Sequence, residues 1–311
     1  MKYLLVGRNE GSMIERIFHY YWVFLVISLL VILPGLFCLL RFGLKPSIDF
    51  TGGSLLEIQF PQSGLPSNNE LQDKSKNVID ISSIQSSGAQ SLLIRSKQLS
   101  NTEKDTVLSV LKQSYPDIKE LRFESVGPTL GKELLVKTVI AVIIVAIVIT
   151  LYMMRQFSEI KYGIAAVLAM FHDTAVLFSV FSILGVLYGV EVDVLFVTAV
   201  LTTLSFSVHD TIVFFDRIRE LRKKESHTPL KTLVNTAAMQ TMSRSINNSL
   251  TIIVMLLALV LLGGQSIRWF SVALLVGALT GTYSSTFTAI PLLLLWEDIQ
   301  FWQLKRRQTK K

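Results

Sequence analysis

Charge and sulfur are both scarce in this chain. Asp, Glu, Lys and Arg make up 17% of its 311 residues, which argues against a water-soluble domain and for a membrane class. A single cysteine, Cys38, leaves nothing with which to build an internal disulfide, a cysteine zinc site or a paired-thiol centre. It follows Leu36 and Phe37 instead of the small residue expected before a bacterial lipidation site, so it reads as a buried apolar side chain. The first apolar run lacks a small-x-small cleavage site and is too long for a signal-peptide core, which makes it an uncleaved anchor.

What the chain has instead is apolar length. Half of its residues are hydrophobic, and the mean hydropathy is +0.50. Six runs approach the roughly twenty residues that cross a hydrocarbon core: 18–40, 133–154, 162–188, 192–214, 245–263 and 269–296. The expected fold class is an α-helical polytopic membrane protein with six transmembrane helices.

Lysine and arginine sort to one side of these spans. The start, 1–17, carries Lys2, Arg8 and Arg16, and the connection between spans two and three carries Arg155 and Lys161. The loop 215–244 holds Arg217, Arg219, Arg222, Lys223, Lys224 and Lys231 and reads as a lipid-facing cytoplasmic helix pair, with partner binding as the second reading; the tail 297–311 holds Lys305, Arg306, Arg307, Lys310 and Lys311. The opposite connections, "YGVEVD" and "GGQSIRW", share one arginine. Both termini are therefore expected in the cytoplasm. This sorting, with attraction to anionic headgroups, accounts for the net charge of +7, so membrane lipid is an expected partner and nucleic acid is not. Glu191 and Asp193, in the sparse connection, read as solvated loop charges.

Residues 41–132 break the membrane pattern and read as a small α+β extracytoplasmic domain between spans one and two. Strands are expected at 54–60, 90–96 and 118–126, the last placing Ile118, Leu121 and Phe123 near one buried surface. Ser100 and Glu103 have capping-box spacing and open a helix in which Val107, Val110 and Leu111 recur. The stretch from Pro61 through Gly64 and Pro66 to about residue 77 reads as a loop or a short helix.

Polar residues inside the spans carry the chemistry. Asp210 precedes the charged "DRIRE" and lies about 9 Å inside the helix end at 1.5 Å per residue. An ionised side chain at mid-bilayer costs on the order of 3 kcal/mol, so it is expected to face the bundle interior with a partner. Thr203, Ser207 and Asp210 form one stripe of span four, and Arg244, Asn248 and Thr251 a matching stripe of span five. Burial favours a neutral carboxyl and a nearby guanidinium favours the ionised one, so a change in their separation loads or releases a proton. A static buried pair that fixes helix register is the competing reading. Asp173, about 18 Å into span three, is a second candidate carrier. His172 and His209 are equally relay members or neighbours bonded to adjacent helices. Span six offers a small and polar face at Gly277, Gly281, Ser284 or Ser285 and Thr288.

Several stretches occur in one order: "SIDFTGGSLLEIQF", "VGPTLGKEL", "FHDTAVLFSVFSILG", "SVHDTIVFFDRIRE" and "SRSINNSLTIIVMLLALVLLGG". Together, over about residues 12–296, they resemble the SecF branch of the SecD/SecF family in the RND superfamily. The resemblance implies a six-span half of a pump that associates with SecD and works beside the SecYEG channel, with YidC as a further partner. It implies use of the proton-motive force at the bacterial inner membrane to assist export of unfolded polypeptides and insertion of membrane proteins. It implies proton flow through Asp210 and Arg244, and neither an enzyme nor a bound metal or organic cofactor. The segment Asp49, Phe50, Thr51, Gly52 and Gly53 reads as a tight turn into a strand, with a coupling elbow between helix motion and the outer domain as the functional reading. The chain departs from the family pattern at Ser47, where a glycine is usual, at His209, where a small amide is usual, and in a shortened or missing first helix of the outer domain.

Two other functions compete. A stand-alone proton-driven exporter of the same superfamily would fuse two six-span halves, and no such duplication is present. An intramembrane aspartyl protease using Asp173 and Asp210 would need both at one depth, and no Gly-x-Gly-Asp surrounds Asp210.

Overall fold

The computed structural model describes residues 21–60, 65–75, 78–86, 90–157 and 159–308. The basic start of the chain, Pro61, Gly64, Lys310 and Lys311 fall outside them. In chain order the elements are α1 (Tyr21–Phe42), α2 (Ile48–Thr51), β1 (Gly53–Gln59), α3 (Asn68–Ser75), β2 (Ile81–Ser86), β3 (Ser91–Ser96), α4 (Asn101–Ser114) and β4 (Lys119–Val126). They continue with α5 (Pro128–Gln156), α6 (Ile160–Tyr188), α7 (Val194–Lys224), α8 (Leu230–Leu262), α9 (Gln265–Phe287) and α10 (Ala289–Gln308). Among the described residues six spans are long and apolar enough to cross a membrane, the sixth built from α9 and α10 together. The chain forms two compact units.

The helical unit comprises the chain up to Lys45, Val142–Val190 and everything from Leu195. α1 exposes Leu29, Leu30, Phe37 and Leu40 on one face, the apolar face a span turns to lipid, while Ser28 and Gly35 on the other are buried. α6 is packed from within by small residues, Ala165, Ala166 and Ala169, all 3% exposed or less. It ends on Gly189, whose φ of 67° supplies the left-handed cap and whose N–H returns to the Gly185 carbonyl. Cys38 is half-buried.

The segment 215–244 is largely helix, in keeping with the expected helix pair: α7 runs on to Lys224 and α8 starts at Leu230. Charged residues extend α7 because they pair along it, Arg219 with Asp216 at 2.8 Å and Lys224 with Glu220 at 2.9 Å. The sixth span is broken: α9 stops at Phe287 and Thr288 takes φ −124° and ψ −51° before α10 begins. The Thr288 hydroxyl lies 3.3 Å from that of Ser28 on α1.

The second unit is Pro46–Ala141 with Glu191–Val194. Its antiparallel sheet has the order β2-β3-β1-β4, and its core joins Leu56, Ile58, Phe60, Leu92 and Ile94 to Leu71 of α3 and Val107, Leu108 and Leu111 of α4. Ser100 caps α4 as its spacing requires, with Glu103 N–H donating to Ser100 Oγ at 3.3 Å and Ser100 N–H donating to Glu103 Oε2 at 2.8 Å. β2 was not expected from "ISSIQS", and α3 resolves the loop-or-helix alternative in favour of a short helix. Leu121 is 51% exposed, against the expectation that it shares a buried surface with Ile118. A register shift between Glu57 and Ile58 pairs them with Arg122 and Glu120, which leaves Leu121 as the extra residue of a bulge.

Candidate functional site

The polar stripe of span four is buried as a unit. Thr203 is 3%, Ser207 1% and Asp210 7% exposed, on a helix whose close approach to α9 is allowed by Gly277 and Gly281; a Cβ on Gly277 would overlap the Thr203 side chain. Asp210 Oδ2 accepts a hydrogen bond from Ser245 Oγ of α8 at 2.9 Å. Beside it opens a cavity of about 290 Å³, lined by Asp210 and His209 from α7, Arg244, Ser245 and Asn248 from α8, and Ser285 and Thr286 from α9.

Arg244 and Asp210 thus border one cavity without an ion pair between them among the described residues. Arg244, Asn248 and His209 are exposed, and Arg244 lies about four turns into α8 instead of at its start, because that helix begins at Leu230. Ser207 Oγ, Thr203 Oγ1 and Ser249 Oγ are buried without a hydrogen-bond partner among the described residues. Thr251 is exposed and donates to the Asn247 carbonyl.

Asp173 is 0% exposed and makes a separate centre. Its Oδ1 lies 2.9 Å from His172 Nδ1, and its Oδ2 accepts from Ser284 Oγ of α9 at 2.6 Å. His172 is therefore bound to its own neighbour, and its Nε2 is buried without a partner among the described residues. Sequence reasoning missed Ser245 as the direct partner of Asp210; its place next to Arg244 was the available signal. Ser284 was visible only as part of a small polar face.

The segment 46–53 is tied to the connection between spans three and four. Ser47 N–H donates to the Val192 carbonyl at 2.9 Å, and Ser47 Oγ accepts from Asp49 N–H at 3.2 Å, capping α2. Asp49 Oδ2 accepts from Val194 N–H at 3.2 Å, which puts a carboxylate on the first residue of α7, where amides lack intrahelical partners and the helix dipole is positive. Phe50 is buried and Thr51 is exposed. Gly52 and Gly53 have φ of 72° and 124°; a Cβ on Gly52 would lie 2.6 Å from Pro128 Cα, and one on Gly53 2.8 Å from the Ser96 carbonyl oxygen. The glycines are thus required both by backbone conformation and by close approach. Glu191 is not a solvated loop charge: its side chain is 7% exposed and ion-paired with Arg95 of β3. Burial lowers the Arg95 guanidinium to about 10.

A six-span helical bundle with ionisable side chains on its inner faces, a polar cavity between helices and a helix broken inside a span has the architecture of a membrane transport protein. The chain belongs to the SecD/SecF family. Residues 106–298 match the family described as protein export membrane protein SecD/SecF, C-terminal, and residues 39–62 match the SecD/SecF GG motif. It is 40% identical over 301 residues to a protein translocase subunit SecF of Thermobaculum terrenum, covering 92% of this chain and 95% of that protein. It is 35% identical to a protein translocase subunit SecDF of Bacillus subtilis, covering 88% of this chain and 37% of that longer one. The crystal structure of SecDF, a translocon-associated membrane protein from Thermus thermophilus, superposes with a TM-score of 0.77 at 31% identity, over 88% of this chain and 37% of that chain. The family places the chain in protein translocation.

Proposed function

We propose that this chain pairs with a SecD subunit in a bacterial inner membrane, both termini in the cytoplasm, and uses the proton-motive force to assist export of unfolded polypeptides and insertion of membrane proteins. The observation that carries the reading is Asp210: a carboxylate 7% exposed inside a span, bonded to Ser245, on a cavity that Arg244 also lines. A proton reaching Asp210 through that cavity removes a buried charge; an approach of Arg244 restores the ionised form. Movement of α7 against α8 between these states is the motor stroke. Asp173 with His172 forms a further station for the proton, and Ser207, His209 and Asn248 hydrate the route.

The SecD partnership is supported by the SecDF relatives, of which this chain spans 37% in the Bacillus subtilis protein. The SecYEG channel and YidC are proposed as neighbours in the same task. Asp49 gives the stroke an outlet, because it holds the first amide of the helix that carries Asp210. The chemistry requires protons alone, with no bound cofactor and no covalent catalysis.

The test is export in membranes carrying the full chain and its SecD partner. Asp210→Asn and Arg244→Met are each expected to abolish stimulation by the proton-motive force while copurification with SecD is unchanged. Undiminished stimulation in an assembled Asp210→Asn complex refutes the proposal.

A further inference from the structure

Asp173 and Ser284 are both 0% exposed, and Asp173 has few partners. His172 is the ionisable side chain that meets it, from its own helix, and Ser284 meets it from α9. Arg41 of α1, His209 and Asp210 of α7, and Glu297 and Asp298 of α10 neither hydrogen-bond nor ion-pair with it among the described residues.

A hydroxyl has one proton to donate, and Ser284 has two acceptors in place: Asp173 Oδ2 at 2.6 Å and the Gly281 carbonyl at 3.4 Å. With Asp173 ionised, the short bond to Oδ2 holds the hydroxyl proton. When Oδ2 gains a proton, an O–H bond forms on the acid, the acid donates to Ser284 Oγ, and the serine O–H turns to the Gly281 carbonyl. One proton enters and one hydroxyl rotates, so the exchange balances without any other reactant.

The place of this serine makes its rotation consequential. Gly281 packs on α7, where a Cβ would lie 3.4 Å from Ser207 Cα and 3.3 Å from Phe206 Cδ1. The residues directly after Ser284, Ser285 and Thr286, line the Asp210 cavity. The helix then stops at Phe287, ahead of Thr288. Thr288 N–H closes this turn on the Ser284 carbonyl at 2.9 Å, and Pro291 has no N–H for the Phe287 carbonyl, so the turn that carries Ser284 ends a helix and responds to a changed hydrogen bond more readily than a continuous helix does. Non-helical backbone inside a span is tolerated where it is packed in protein or lines a cavity; Thr288, 4% exposed, meets that condition.

We infer that Ser284 is the positioning residue that couples the Asp173–His172 centre to the Asp210 cavity, the last turn of α9 carrying the protonation state of one carboxylate to the other. The inference rests on the proton-driven reading above.

Difference infrared spectroscopy of the full chain in lipid vesicles, recorded across an imposed pH step, tests it. The expected result is one carboxyl band removed by Asp173→Asn and a second removed by Asp210→Asn. Both bands shift in Ser284→Ala, and both return toward their original positions in Ser284→Thr. Ser284→Ala also lowers proton-driven export stimulation several-fold, with Ser284→Thr restoring it. Bands that keep their positions in Ser284→Ala overturn the coupling, as does the lack of any band removed by Asp173→Asn. Unshifted bands alongside lost stimulation in Asp210→Asn refute the coupling alone; full stimulation in Asp210→Asn refutes the parent reading and the coupling with it.

Discussion

Ser54 on β1 and Ser207 on α7 are equally buried, each 1% exposed, and they are bonded in opposite ways. Ser54 Oγ donates to Ser125 Oγ at 2.8 Å and accepts from Leu99 N–H at 2.8 Å. Ser207 Oγ has no partner among the described residues, and neither have Thr203 Oγ1, Ser249 Oγ and His172 Nε2. Among the described residues of the outer unit the buried side-chain polar groups close on one another, save Arg95 Nε and Glu191 Oε2 of one ion pair. In the helical unit Ser245 and Ser284 bond the two acids, and Ser179 Oγ, Asn235 Oδ1 and Trp296 Nε1 join the unpartnered atoms among the described residues. A buried polar atom without a partner costs about 1–3 kcal/mol, so the open stripe is poor use of polar groups for stability. Under the proposed function those open groups serve the proton route.

The largest effect that would sharpen this contrast lies in the outer core. Phe60 is 0% exposed and packs edge-on against Tyr115 at 5.4 Å; Phe60→Ala is expected to destabilise the outer unit by about 3–5 kcal/mol. Hydrogen exchange of the β1 and β3 amides in the intact protein reads that loss. Next comes Gly52→Ala, which demands both a positive φ and room that Pro128 occupies. A cost of about 1–3 kcal/mol is expected, seen as a lower melting temperature and faster proteolysis of the outer unit.

The serine pair is the direct comparison. Ser54→Ala leaves the Leu99 N–H without its acceptor and is expected to cost about 1–3 kcal/mol. Ser207→Ala removes an unpartnered buried hydroxyl and is expected to leave stability unchanged or raised, while export stimulation falls. Equal stability losses at the two positions would break the contrast.

The smallest effect is acidic. The Ser100 N–H and hydroxyl hold the Glu103 carboxyl below its usual range. A depressed folded-state value means that the cap's contribution is complete above the ordinary carboxylate range, near pH 4.3, and is lost as pH falls through the lower folded value. Exchange at the first amides of α4 is expected to quicken only in that acidic window.

These elements were not equally legible in the sequence. Apolar runs and the Ser100–Glu103 box are local patterns, and the described residues form six long apolar spans and a capped α4. The weakly patterned β2 takes its place from pairing with β3, and the bulge at Leu121 from register with β1. Asp210 stood out because an acid in an apolar run is costly. Its partner Ser245 is 35 residues away, Ser284 is 111 from Asp173, and Val194 is 145 from Asp49. Periodicity names the face a residue occupies; which residue meets it there is decided by helix packing. The break after Phe287 does have a local signal, because Pro291 has no N–H to offer the Phe287 carbonyl four residues earlier.

The most direct measurement is proton movement across vesicles that contain the full chain with its SecD partner, under an imposed pH gradient. Proton movement that Asp210→Asn removes, with the complex still assembled, is the expected result. Equal movement in the Asp210→Asn and unaltered complexes would contradict the assignment of Asp210 as the carrier.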